Sequence, residues 1–105
     1  MTETFRRIQT LVLAGDVRVS DHGFEELAKD AILIEDLVAD IMTAILLEEY
    51  PDRSRVLTLQ EDGKGRPVHV VWALSSEQRR PAVLVTAYRP DPTLWDNEFR
   101  QRRSK

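Results

Sequence analysis

Apolar positions change their period once along the chain, from helical spacing in the first half to alternation in the second. Phe5, Ile8, Leu11 and Val12 recur at helical spacing and Gly15 supplies a stop, so residues 1–16 are expected to form an N-terminal helix. "VRV" (Val17–Val19) reads as a short extended link, after which Ser20 or Asp21 can cap a second helix running to about Lys29. Ile34, Leu37, Val38, Ile41, Met42 and Ile45 then follow the i, i+3, i+4, i+7, i+8, i+11 pattern of one buried stripe, the strongest helix signal in the chain. From Ala44 the pattern shifts: "ILLEEYP" passes from helix into a first strand, with Pro51 and Asp52 turning the chain. "RVLTLQ", "VHVVWAL" and "AVLVTAY" are strand segments separated by the polar loops "EDGKGRP" and "SSEQRRP". Helices grouped ahead of consecutive strands define an α+β class, with the helices on one face of an antiparallel sheet of three to four strands.

Alternation sorts the strand residues into two faces. Symmetric pairing about the loops places Thr58 and Thr86 on either side of His69. Leu57, Leu59, Val68, Val70, Trp72, Leu74, Val83 and Val85 then look towards the helices, leaving Val56, Thr58, Gln60, His69, Val71, Leu84, Thr86 and Tyr88 on the other face. The result is a polar row, Thr58–His69–Thr86, bordered by Tyr88 and Arg89. A slip of one residue would turn a whole strand over.

A chain of 105 residues is the size of one compact domain. It has no cysteine, which removes disulfide scaffolds, zinc–cysteine sites and thiol nucleophiles together. The opening residues lack the pattern of a signal peptide, and no apolar run approaches about 18 residues, so a soluble, cytoplasmic protein with no membrane partner is expected. The net charge of −3 hides an asymmetry: residues 1–52 hold four bases against twelve acids, net −8, and residues 53–105 hold eleven bases against six acids, net +5. An acidic chain argues against nucleic acid as a whole, yet a basic half can place a phosphate-attracting surface on one side. A mixed, solvated surface is the plainer reading of charge alone.

The candidate chemistry centres on two histidines. His69, on a strand, is either a hydrogen-bonded structural side chain or an acid–base group, and His22, near a helix start, fits a surface residue equally well. Tyr88 reads as a core-edge residue, Trp95 as a lid that packs the tail, and residues 95–105 as a basic C-terminal tail. No HxxxH or HxH spacing supports a metal site, "DGKG" is not a P-loop and no GxSxG elbow occurs, so neither metal nor cofactor is expected. Histidine, tyrosine, arginine and hydroxyls suit metal-free cleavage of RNA. A base removes the 2′-hydroxyl proton, an acid protonates the leaving 5′-oxygen, and a cation stabilises the phosphorane-like charge.

"SDHGFEELAKDAI", "EEYPD", "PVHVVWAL" and "VLVTAYRPDPTLW", in this order and spacing, resemble the bacterial domain-of-unknown-function family numbered forty-two fifty-eight, over about residues 17–103. That family is similar to the RelE-like branch of the barnase–EndoU–colicin–RelE superfamily, which includes MqsR-type mRNA interferases. The resemblance implies a single RelE-like domain over residues 1–105, with a helical lead and a curved antiparallel sheet whose open face receives RNA. It implies a metal-independent endoribonuclease acting as the toxin of a type II toxin–antitoxin pair, with a cognate antitoxin and RNA as partners. On that reading His69 is the general base or acid, Tyr88 its complement or a stacking platform, and His22 a further acid–base group. Arg89 clamps phosphate, Thr58 and Thr86 orient His69, and Arg79 and Arg80 add charge for RNA or antitoxin. Glu26 and Asp30 stand where many relatives carry basic residues. Those acids favour the alternative, a non-catalytic interaction module that kept the fold.

Overall fold

The computed structural model describes residues 2–75, 77–95 and 98–101. Thr2 caps the first helix, α1 (Glu3–Leu13), its hydroxyl accepting the Phe5 N–H at 3.0 Å. Gly15, at φ +80, reverses the chain into β1 (Val17–Val19). Ser20 caps α2 (Asp21–Lys29) by accepting the Gly23 N–H at 2.9 Å. There follow α3 (Ile34–Ala39), a 3-10 turn (Ile41–Thr43), β2 (Ile45–Tyr50), a second 3-10 turn (Pro51–Arg53), β3 (Arg55–Glu61), β4 (Pro67–Leu74) and β5 (Ala82–Tyr88). Among the described residues no helix is long and apolar enough to cross a membrane.

The class is α+β as expected, but the sheet is larger and mixed. Five strands lie in the order β1-β5-β4-β3-β2, and β1 runs parallel to β5 instead of serving as a link. Ser20 fixes this edge: its N–H donates to the Leu84 carbonyl at 3.0 Å and its hydroxyl to the Val85 carbonyl at 2.9 Å. Gly23 permits the close approach, since a Cβ there would stand 2.8 Å from the Leu84 oxygen.

The helix expected over residues 34–45 is also shorter, ending at Ala39. Leu37 and Ile41 are fully buried, while Met42 is 58 % exposed, so the stripe is divided between a helix, a tight turn and a strand. Carboxylates on this segment hold the β3–β4 hairpin: Asp36 accepts the Gly63 N–H at 2.9 Å and Asp40 the Glu61 N–H at 3.0 Å. Ala44 is already extended, and Ile45 pairs with Leu59 at the start of β2.

Register is the largest correction. β4 faces as expected, with Val68, Val70, Trp72 and Leu74 in the core beneath Phe5, Ile8 and Val12 of α1 and Leu27 of α2. β3 is turned over: Thr58 lies opposite Val70 and Leu59 opposite His69, so Val56, Thr58 and Gln60 point inward and Leu57 and Leu59 outward. In β5 an irregularity between the pairs Val71↔Thr86 and Trp72↔Leu84 puts Ala82, Leu84 and Ala87 inward. His69 and Thr86 do share the outer face with Trp72 opposite, but Val83 and Val85 are not on the helix side.

Polar pairing explains the reversal. Gln60 Nε2 donates to the Leu37 carbonyl at 2.8 Å, and its Oε1 accepts Trp72 Nε1–H at 2.8 Å. The Thr58 hydroxyl lies 3.1 Å from both Gln60 Oε1 and the Val70 carbonyl. These side chains are buried but satisfied, which is what the interior requires of polar groups. Gln60→Leu would keep the bulk and strip Trp72 and Leu37 of this partner. At about 1–3 kcal/mol per orphaned group, urea unfolding is expected to show a loss of roughly 2–4 kcal/mol. Thr58→Val is expected to show a smaller loss.

Candidate functional site

The outer face carries a row running Tyr88–His69–Leu59–Ile45 across β5, β4, β3 and β2. His69 sits directly opposite Tyr88, with ring centroids 5.5 Å apart at 70°. Trp95 closes over it edge-on at 4.2 Å and 88°. His69 Nε2 is 2.7 Å from the Phe99 carbonyl oxygen. A carbonyl only accepts, so Nε2 carries the hydrogen. His69 is 0 % exposed and Trp95 3 %.

The cover is placed by local chemistry. Asp91 Oδ1 accepts the Thr93 N–H at 2.8 Å and the Thr93 hydroxyl at 2.7 Å, while its carbonyl accepts the Leu94 and Trp95 N–H groups. This is an Asx-type turn, and the two Thr93 hydrogen bonds lower the Asp91 pKa. Phe99 holds φ +59, a left-handed conformation that a non-glycine residue adopts at a cost of about 1–3 kcal/mol.

Arg89, next to Tyr88, is tied into the hairpin between β3 and β4. Its Nη2 lies 2.8 Å from Asp62 Oδ2, its Nη1 3.4 Å from the Pro67 carbonyl, and its N–H 3.3 Å from Asp30 Oδ2. Asp62 is the centre of this cluster: Oδ1 accepts the Lys64 and Arg66 N–H groups at 2.9 Å each, and Oδ2 also takes Arg66 Nε at 3.0 Å. Its side chain is 4 % exposed. Desolvation pushes its pKa upward, but the backbone hydrogen bonds from Arg66 and Lys64, the Arg89 side chain and the Arg66 charge outweigh it. The carboxyl is held well below the usual range.

The other residues picked out by sequence are distributed. Thr86 is on the outer face opposite Val71, two residues from Tyr88. Thr58 is in the helix-side core and faces away from His69. His22 is 61 % exposed on α2, 3.7 Å from Glu26, and α2 packs on the opposite side of the sheet from His69. Arg79 and Arg80 lie in the β4–β5 loop, beyond Leu74 and so roughly 17 Å or more along β4 from His69. Arg80 Nε pairs with Asp16 at 2.8 Å, which raises its pKa by hydrogen bond and charge. Arg79 lies 3.8 Å from Glu3. In the basic tail, residues 96, 97 and 102–105 lie outside the described residues. The structure therefore gathers His69, Tyr88 and Thr86 on one face with Arg89 beside them. It adds Phe99 and Asp62, for which only the turn-forming "EDGKG" gave a sequence signal. Among the described residues, no three of His, Asp or Glu converge as a metal-ligand set.

A family model for a domain of unknown function (DUF4258) matches residues 19–89. That span is narrower than the expected 17–103 but is well over half of the chain, and it contains the His69–Tyr88 pair. No curated protein and no solved structure matches.

The Asp62 cluster makes a pH-dependent contribution of definite sign. Its carboxyl binds its proton less readily folded than unfolded, so the unfolded chain holds more protons and stability rises with pH in that window. The contribution is complete above the ordinary value of 3.8 and is lost as pH falls towards the lowered folded value. Unfolding curves recorded from pH 6 down to about pH 2 are expected to show Asp62→Asn less stable at the upper end. The gap from the natural chain should close in acid.

Proposed function

We propose that this chain, which belongs to the DUF4258 family, is a metal-independent endoribonuclease of RelE-like architecture, the cytoplasmic toxin of a type II toxin–antitoxin pair. The observation that carries the reading is the cross-strand pairing of His69 with Tyr88 on the sheet face turned away from the helices. An imidazole beside a phenol supplies a base and an acid for one displacement. The 2′-hydroxyl gives its proton to His69 Nδ1 and attacks phosphorus, the P–O5′ bond breaks, and the Tyr88 hydroxyl protonates the departing oxygen. A 2′,3′-cyclic phosphate and a free 5′-hydroxyl result. RNA reaches this pair only when the segment carrying Trp95 and Phe99 moves aside. Arg89 bears on the phosphate only as far as Asp62 releases it. His22, Arg79 and Arg80 fit antitoxin contacts better than chemistry, given where they lie.

A second reading, a non-catalytic interaction module, is favoured by the complete burial of His69 and the engagement of Arg89 by Asp62. Incubation of the purified chain with single-stranded and ribosome-bound RNA in EDTA separates the two. The nuclease is expected to yield cyclic-phosphate ends. Tyr88→Phe, which preserves the ring against His69, should slow cleavage by about 100- to 10,000-fold, and Trp95→Ala, which thins the cover, should speed it. Growth arrest on expression should be relieved by a cognate antitoxin. Products formed equally by the natural chain and Tyr88→Phe would exclude this site. No products from either the natural chain or Trp95→Ala would leave the interaction module.

A further inference from the structure

Seven arginines in and beside the strands divide into two groups. Arg66, Arg79, Arg80 and Arg89 each lie within ion-pair distance of a carboxylate. Among the described residues Arg18, Arg53 and Arg55 form no ion pair; Arg18 and Arg55 lie on the outer sheet face, and Arg53 ends the 3-10 turn that leads into β3. The pairings Arg18↔Val83, Val83↔Ala73, Ala73↔Arg55 and Arg55↔Tyr50 form one row across the five strands. Val17 and Val19 pack on the core, so Arg18 between them points to the outer face. At the other end Tyr50, Arg53, Arg55, Val71, Val85 and Thr86 line a depression of about 220 Å³.

We propose that this half of the face, with its depression, is a subsite for single-stranded RNA, with Arg53, Arg55 and Arg18 holding phosphates and Tyr50 receiving a base. The choice of RNA over other polyanions rests on the nuclease reading above. Three features support a polymer over a small ligand or an acidic peptide. The depression is smaller than the roughly 300–1,000 Å³ of a site that encloses a whole small molecule. Arg18 and Arg55 are three strands apart, roughly 14 Å, a span that no single small anion bridges. The lining sets guanidinium groups beside a phenol ring and the apolar Val71 and Val85, which suits a flat base joined to a phosphate. Glu48, which accepts the Tyr50 hydroxyl, stands beside the site. It is an acceptor that a base N–H or a 2′-hydroxyl can use and a peptide carboxylate cannot. Val71 is two residues from His69 and Thr86 two from Tyr88, so the subsite adjoins the candidate catalytic row at roughly 7 Å along the strands.

The test is binding of a fluorescent 2′-O-methyl oligoribonucleotide, which cannot be cleaved by 2′-hydroxyl attack, to the full natural chain over a salt series. Each phosphate contact on a single strand contributes about 0.7 to the slope of log affinity against log salt. Arg53→Ala/Arg55→Ala is therefore expected to reduce the slope by about 1.4, and Arg18→Ala by about 0.7. Tyr50→Ala should weaken binding by about 5- to 150-fold with the slope unchanged. Arg6→Ala on α1, across the fold, is the charge-matched control and should leave the slope as it was. An unchanged slope in the double variant overturns the proposal, as does an equal drop in Arg6→Ala. Binding of a polyglutamate peptide, lost in the same variants while the oligoribonucleotide fails to bind, also overturns it and makes the surface a protein-docking site. Cleavage is not read here. A chain that binds but never cuts RNA loses the nuclease reading and keeps the subsite; one that cuts with an unaltered slope does the reverse.

Discussion

Gln60 decides which face of β3 looks inward, and the rest of the sheet follows from that choice. Its amide reaches the Leu37 carbonyl on one side and Trp72 Nε1 on the other, with Thr58 completing the set. Turning β3 over would bury Leu57 and Leu59 against the helices and gain apolar contact. It would also leave an indole N–H and a helix-end carbonyl without these partners inside a dry core, at about 1–3 kcal/mol each, while Leu57 is already buried where it stands. With β3 so fixed, Leu59 falls opposite His69 and β4 presents His69 and Val71 to the outer face.

That outer face is divided unequally. Along the Tyr88–His69–Leu59 row the chain covers its own sheet, because an imidazole flanked by Leu59 and Tyr88 is closed by Trp95 and hydrogen-bonded by Phe99. Farther along the strands Val71, Val85 and Thr86 line an open depression. The irregularity in β5 helps to separate the two regions, since it changes the side to which successive residues point between Thr86 and Leu84. The division also sets electrostatics. The acidic first half and basic second half are cross-linked through Asp16–Arg80, through Asp30 on the Arg89 N–H, and through Asp36 and Asp40 on the hairpin N–H groups. Arg79 and Arg80 of the basic half thus pair with acids of the first half, while Arg18 and Arg55 stand on the outer face.

The sequence made much of this legible. Strands β3, β4 and β5 were readable to within a residue, because alternation bounded by Gly/Pro-rich loops is a local signal, and Ser20 was identifiable as a cap. The Ile34–Ile45 stripe misleads because helical spacing does not reveal where hydrogen bonding changes; Leu37 and Ile41 meet the core from a helix and from a turn alike. β1 was unreadable as a strand because its partner is more than sixty residues away and parallel. The reversal of β3 has a simpler cause. Loop symmetry and hydrophobicity both favoured Leu57 and Leu59 inward, and only the tertiary meeting of Gln60 with Trp72 and Leu37 overrides them. His69, Thr86 and Tyr88 keep the outer face, but the β5 residue opposite His69 is Tyr88 where loop symmetry placed Thr86, and Thr58 leaves the row with its strand.

The boundary of the family match sharpens what the cover over His69 means. The match ends at Arg89, the residue after β5, so the His69–Tyr88 pair lies inside it and Asp91, Trp95 and Phe99 lie beyond. Asp91 and Thr93 hold the turn that aims Trp95. On the sheet, Trp95 packs edge-on against the His69 ring and the Phe99 carbonyl accepts from His69 Nε2, with Phe99 at φ +59. The segment lies outside β1 to β5, and Trp95 itself takes part in a β-bridge. The family match thus takes in the sheet that carries the histidine row and leaves out the segment that closes over it.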